Sequence, residues 1–189
     1  MIIYPSFNQF LEYTQKSKRT PIVGEKIIPS FDIAILFKKF FYKNDKAFLY
    51  ESNNGTKNTA RYSFIGIPNN NYIKIESDHS IIKLHDTKEE IKRTVIDGWD
   101  ALNFENNVAN YKYSPHFWGG WVGYIAYEAG YSFENLPKRK STELKLPDAY
   151  FMQVDRLVVY DHNLTKLKYI IAAKSSSDRF KYNEHTDEI

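Results

Sequence analysis

The 189-residue sequence contains no cysteine. Disulfides, thiolate catalysis and cysteine-ligated metals are therefore excluded. It also lacks a charge imbalance. Twenty-six basic residues face 23 acidic ones, for a net charge of +3, too little to argue for nucleic acid. The longest basic run, Lys138-Arg139-Lys140, is isolated and reads as a solvated loop. No apolar run approaches the roughly 18 residues of a membrane span. Met1 to Phe10 has neither a basic start nor a long apolar centre, so no signal peptide is read there. A cytosolic protein without membrane or nucleic-acid partners is the expectation.

Catalytic motifs are missing as well. His79, His85, His116, His162 and His185 form no metal-binding pair such as H-E-x-x-H, and they read as turn or surface histidines. Gly119-Gly120-Trp121-Val122-Gly123 has the wrong spacing for a dinucleotide fingerprint and opens no helix, so it reads as a tight structural strand. Glu128 and Glu134 follow that strand. They are acid–base candidates only if a shared cleft exists, with surface or capping roles as the simpler reading.

What is present is aromatic and apolar. Aromatics make up 16% and hydrophobic residues 42%, enough for one substantial core. Ser6 is placed to cap a helix with Phe7, Phe10 and Leu11 on one face. Ile22 to Ile28 reads as a strand and Phe31 to Tyr42 as a helix. Ala47 to Ser52 and Arg61 to Ile67 read as strands around Asn53-Asn54-Gly55, with Pro68-Asn69-Asn70-Asn71 stopping the second. Tyr72 to Ile75 and Ser80 to His85 form a hairpin. Thr87-Lys88-Glu89-Glu90 has capping-box form, and the spacing predicts a helix from there to about Leu102. A polar connector, 103–114, leads to the strand Phe117 to Tyr127, and a helical turn follows at Tyr131 to Leu136, ended by Pro137. Lys138 to Lys145 is a charged loop. Ala149 to Tyr160 and Lys166 to Ala173 form a second hairpin around Asp161-His162-Asn163. From Lys174 the chain is polar, with little to bury. Together these predict an α+β fold, a mainly antiparallel β-sheet with two to three covering helices. The strand ends at Glu51, Ser52 and Arg61 carry polar groups that a short turn brings face to face, one half of a small-molecule pocket.

Four stretches in order resemble one family. FLYES followed by ARYSFIG resembles a strand pair of the anthranilate synthase component I and aminodeoxychorismate synthase component I family. Ile28-Pro29-Ser30-Phe31 resembles the helix start upstream of it, without that family's threonine. FWGGWVGYIAYEAGYSFENLP resembles its glycine-rich block, and LKLPDAYFMQVDRLVVYDH its leucine-proline-aspartate strand ending in aspartate-histidine. The match runs from about residue 3 to 173.

The resemblance implies an amino-terminal domain over residues 1–173, with 174–189 a polar tail beginning a linker to a chorismate-binding domain absent from this sequence. That domain holds magnesium and does the chemistry, adding ammonia from a glutamine amidotransferase partner to chorismate; the anthranilate branch then eliminates pyruvate. This chain would itself be non-catalytic and carry no cofactor. The implied task is feedback inhibition by tryptophan, with Glu51 and Ser52 at the inhibitor, Arg61 beside it, and Tyr62, Ser63 and Phe64 lining the pocket. Tyr50 stands where the family has leucine. The intact glutamate-serine and arginine-tyrosine-serine favour the anthranilate branch over aminodeoxychorismate synthase. A protein-interaction module, docking through the glycine-rich strand and aromatic surface, is the reading from another class.

Overall fold

The structure is a computed structural model, which describes residues 1–44, 46–52, 60–76, 79–83, 90–94, 99, 102, 111, 114–134 and 146–189. The fold is α+β and mainly antiparallel. The chain divides into two units, 1–68 with 107–120 and 154–189, and 69–106 with 121–153.

In the first unit β1 (Ile2–Tyr4) pairs with β2 (Arg19–Ile27), and β2 pairs along its length with β9 (Lys166–Lys174). β9 continues into β8 (Ala149–Asp161), which neighbours β4 (Tyr62–Glu76), and β3 (Phe48–Tyr50) pairs with β4. Ile22, Val23, Leu157, Val159, Ile170 and Ala172 are buried. Consecutive positions of a strand point to opposite faces, so the central strands are covered on both.

Ser6 caps α1 (Phe7–Thr14), and a capping box with Gln9 satisfies two first-turn donors. α1 buries Phe10 against Ile22 and Ala173. α2 (Ile33–Phe40) starts later than the Phe31 expected from spacing, because the Asp32 carboxylate accepts from the amides of Ala34 and Ile35 at 2.8 and 3.1 Å. Phe31 and Leu36, the residues flanking that cap, join one apolar cluster with Ile33, Ile65 and Val158, as in a hydrophobic staple.

Residues 174–189 depart from the polar tail expected. β9 reaches Lys174, and Asp178 caps α3 (Arg179–Glu188). Although α3 has no apolar stripe, Tyr182 lies 5.4 Å from the rings of both Phe7 and Phe10 and donates to the Pro5 carbonyl at 2.6 Å. Ile189 joins the same cluster. Arg179 also lies 4.7 Å over the Phe7 ring, so the helix docks through scattered residues and not through a stripe.

In the second unit β4 continues through Asn69–Glu76, β5 (His79–Lys83) pairs with it and β6 (Glu90–Thr94) with β5. β7 (Gly120–Ile125) lies beside β8. Ile73, Ile75 and Ala149 form the core, with Trp99, Leu102, Trp121 and Phe151 against it.

Two sequence expectations are corrected here. The Pro68-Asn71 run does not stop a strand, because Asn69 and Asn71 donate side-chain bonds to Gln153 at 3.1 and 2.6 Å and keep the backbone extended. The helix expected over 87–102 holds only in part: Glu90–Thr94 is a strand, where backbone pairing with β5 (Ile82↔Ile91, Ser80↔Arg93) outweighs helical spacing, while Trp99 is helical as expected. The capping-box residues 87–89 lie outside the described residues, as do Asn53-Asn54-Gly55, His85, most of the 103–114 connector, Pro137 and the 138–145 loop.

The glycine-rich stretch is a strand as expected. Gly119 and Gly120 have φ of +155° and +129°, a region costly for residues with a side chain. The helical turn after it lies earlier than predicted, as a 3-10 helix over Tyr127–Ser132.

Candidate functional site

β3 and β4 pair with Phe48 opposite Gly66, Leu49 opposite Ile65 and Tyr50 opposite Phe64. A side chain at Gly66 would meet the Phe48 ring at 2.2 Å, so glycine is required for that ring to lie flat over β4. This register carries Ser52 to Ser63. The Ser52 amide donates to Ser63 Oγ at 3.0 Å, and Ser63, fully buried, lies 2.7 Å from His162 Nε2. The His162 ring is held edge-on to Tyr160, with centroids 4.9 Å apart.

Arg61 is paired. Its Nε lies 3.3 and 3.2 Å from the two Asp161 oxygens, and Nη2 donates at 2.9 Å. The Asp161 side chain has no exposed surface, whereas that of Arg61 is 39% exposed. Asp161 also accepts from the amides of Asn163 and Leu164, both at 3.1 Å, which closes the turn between β8 and β9. The carboxylate raises the Arg61 pKa above its usual value, chiefly through the hydrogen bond. The Arg61 guanidinium stacks 4.8 Å from the Tyr62 ring. Burial, reinforced by the Asp161 charge, pushes the Tyr62 phenol up.

The sequence-predicted residues are thus placed as follows. Ser52 and Ser63 are hydrogen-bonded, and Arg61 and Tyr62 are stacked. Phe64 has its ring 6.0 Å from Tyr62 and 5.8 Å edge-on from Phe117. Glu51 is exposed. Two groups have commitments the sequence did not show: the Ser52 amide is used by Ser63, and the Nε–Nη2 edge of Arg61 by Asp161. Among the described residues these contacts do not use Ser52 Oγ, Arg61 Nη1 or the Glu51 carboxylate. In the sequence Asp161 and His162 read as turn residues and as the end of a family-motif strand, with no role in the site. They do occupy a turn, yet they also reach Arg61 and Ser63 across β8 and β4, a proximity that only the strand order creates.

Glu128 sits in the first turn of the 3-10 helix, and Glu134 follows it, exposed, with its amide donating to the Gly130 carbonyl at 3.0 Å. Both belong to the second unit. Among the described residues no three His, Asp or Glu side chains come together as candidate metal ligands. No helix among them is long and apolar enough to cross a membrane.

A family profile described as chorismate binding enzyme matches residues 45–188. The chain belongs to that family. It is 28% identical over 173 residues to anthranilate synthase component 1 of Acetivibrio thermocellus, covering 90% of this chain and 34% of that protein. The probable anthranilate synthase component 1 of Schizosaccharomyces pombe is also 28% identical, with 90% and 32% covered. The Streptomyces coelicolor anthranilate synthase component 1 is 30% identical over 75% of this chain and 24% of its own length. The chain thus spans about a third or less of these relatives. The crystal structure of anthranilate synthase component I from Streptococcus pneumoniae aligns over 86% of this chain and 36% of its own, at 18% identity and a TM-score of 0.49.

Proposed function

We propose that this chain is the regulatory, tryptophan-binding part of an anthranilate synthase component I, non-catalytic by itself. The observation that carries the proposal is the junction of Ser52 and Arg61 with one turn: Ser52 through Ser63 to His162, and Arg61 to Asp161. The names of the relatives favour the anthranilate branch. The zwitterionic ligand suits the groups at these strand ends. Its ammonium meets the Glu51 carboxylate and the Ser52 hydroxyl, and its carboxylate meets Arg61 Nη1. The indole packs on the Tyr62 and Phe64 rings.

Because Asp161 already neutralises Arg61, the pair attracts a carboxylate less than a lone arginine would. Affinity then depends on the directed Nη1 contact and the aromatic wall. In the complete enzyme, a chorismate-binding catalytic part with its magnesium and a glutamine amidotransferase subunit would convert chorismate and ammonia to anthranilate and pyruvate, and tryptophan bound here would inhibit it.

Titration of the complete enzyme with L-tryptophan tests the proposal. Inhibition should be lost in Ser52→Phe, whose ring fills the ammonium end. Unchanged inhibition in that variant would remove Ser52 from the site.

A further inference from the structure

Asp161 and His162 stand at the β8–β9 turn, about a hundred residues from the stretch that binds the effector in the reading above. They touch both ends of that stretch. At one end the Ser52 amide donates to Ser63 Oγ, which lies 2.7 Å from His162 Nε2. At the other the Arg61 carbonyl accepts from the His162 amide at 2.9 Å, while its guanidinium is held by the buried Asp161. One turn therefore sets the positions of Ser52 and Arg61 at once.

We propose that His162 is a positioning residue for the effector site, acting through Ser63, with Asp161 holding Arg61 from the same turn. This rests on the tryptophan-binding reading. A serine hydroxyl has one proton and two lone pairs. Ser63 accepts from the Ser52 amide and exchanges its second bond with His162 Nε2. Being fully buried, it has no water to replace either partner, so losing the imidazole frees the hydroxyl to rotate away from Ser52. The Ser52 hydroxyl, which meets the ammonium in that reading, then loses its fixed position. The sequence signal was available in the aspartate-histidine pair that closes β8, but nothing in a linear reading joined it to Ser63.

Two substitutions of similar chemistry and different reach separate positioning from folding. Glutamine places an amide nitrogen where Nε2 lies; asparagine reaches only to the Nδ1 position and is well tolerated in turns. NMR titration of the chain with L-tryptophan should give His162→Gln an affinity within about threefold of the parent, and His162→Asn about tenfold weaker binding, ~1.4 kcal/mol. Ser63→Ala should weaken binding like His162→Asn, and the double variant no further. Thermal unfolding of the Gln and Asn variants should be alike. Binding by His162→Asn within twofold of the parent overturns the positioning role and leaves the tryptophan site standing. A parent chain that binds no tryptophan overturns the site and the positioning role with it.

Discussion

The Asp161 carboxylate, without exposed surface, holds the half-exposed guanidinium of Arg61 through Nε and Nη2. Removing Arg61 leaves a buried charge held by the amides of Asn163 and Leu164 and by the Tyr62 phenol. Arg61→Ala should therefore cost on the order of 3 kcal/mol. Arg61→Lys, which keeps the charge but not the two-point geometry, should cost less. Urea unfolding of the two variants checks the order; equal, sub-kilocalorie losses would mean the pair is a surface contact.

Gly123 has no room for a side chain. An added Cβ would lie 1.8 Å from the Tyr150 carbonyl oxygen and 2.7 Å from the Phe151 Cα, both backbone atoms that cannot swing aside. Gly123→Ala should lose about 3 kcal/mol or more by forcing β7 from β8. At Gly120 the nearest atom is the Phe117 ring at 3.9 Å, so the φ of +129° is the only obstacle. Gly120→Ala should cost about 1–2 kcal/mol. Thermal unfolding of the two should show the larger drop at Gly123.

Much of this architecture is legible in the sequence because it is local. The Ser6 cap, the apolar strand through Ile22 and Val23, and the hairpin around Asp161-His162-Asn163 are set by neighbours a few residues apart. The failures share a cause in distant partners. Glu90–Thr94 is a strand because β5 offers it hydrogen bonds, and β4 runs past Pro68 because Gln153 holds Asn69 and Asn71. α3 reads as tail because its anchors are distant: Tyr182 packs on a helix at the other end of the chain, and Glu188 is bonded to Arg156 and Tyr169. At the candidate site Glu51, Ser52, Arg61, Tyr62, Ser63 and Phe64 were found through motif resemblance. The commitment of Arg61 to Asp161 and of Ser63 to His162 was not, since those pairs are separated by about a hundred residues.

Acid should loosen α3 first. The Arg156 guanidinium, bonded at 2.6 and 3.1 Å, holds the Glu188 carboxyl below its usual 4.5, and Tyr169 donates to it at 2.8 Å. That stabilisation is complete above pH 4.5 and is lost as pH falls through the lower folded value. Burial lowers the His185 pKa below 6.5, so protonation of His185 also costs the folded state as pH falls from that value. Hydrogen exchange, corrected for intrinsic rates, should show α3 losing protection between about pH 6.5 and 4 while β2 and β9 keep theirs. Glu188→Gln should abolish the lower part of that change. Parallel loss in α3 and β9 would contradict it.

Tyr182 should carry α3 docking. Tyr182→Phe loses only the bond to Pro5, about 1 kcal/mol. Tyr182→Ala also loses contact with Phe7 and Phe10 and, the ring being only half-buried, should cost about 2–3 kcal/mol. Urea unfolding separates the two, and equal losses would assign the docking to the hydroxyl.

The most direct test of the tryptophan-binding role is an NMR titration of this chain with L-tryptophan, using D-tryptophan as the control. The account predicts saturable shifts at the amides of Ser52, Arg61, Tyr62 and Ser63 with the L isomer, at a Kd of about 1 mM or tighter, and much weaker ones with the D isomer. Identical responses to the two isomers, or no shifts at these amides, would contradict it.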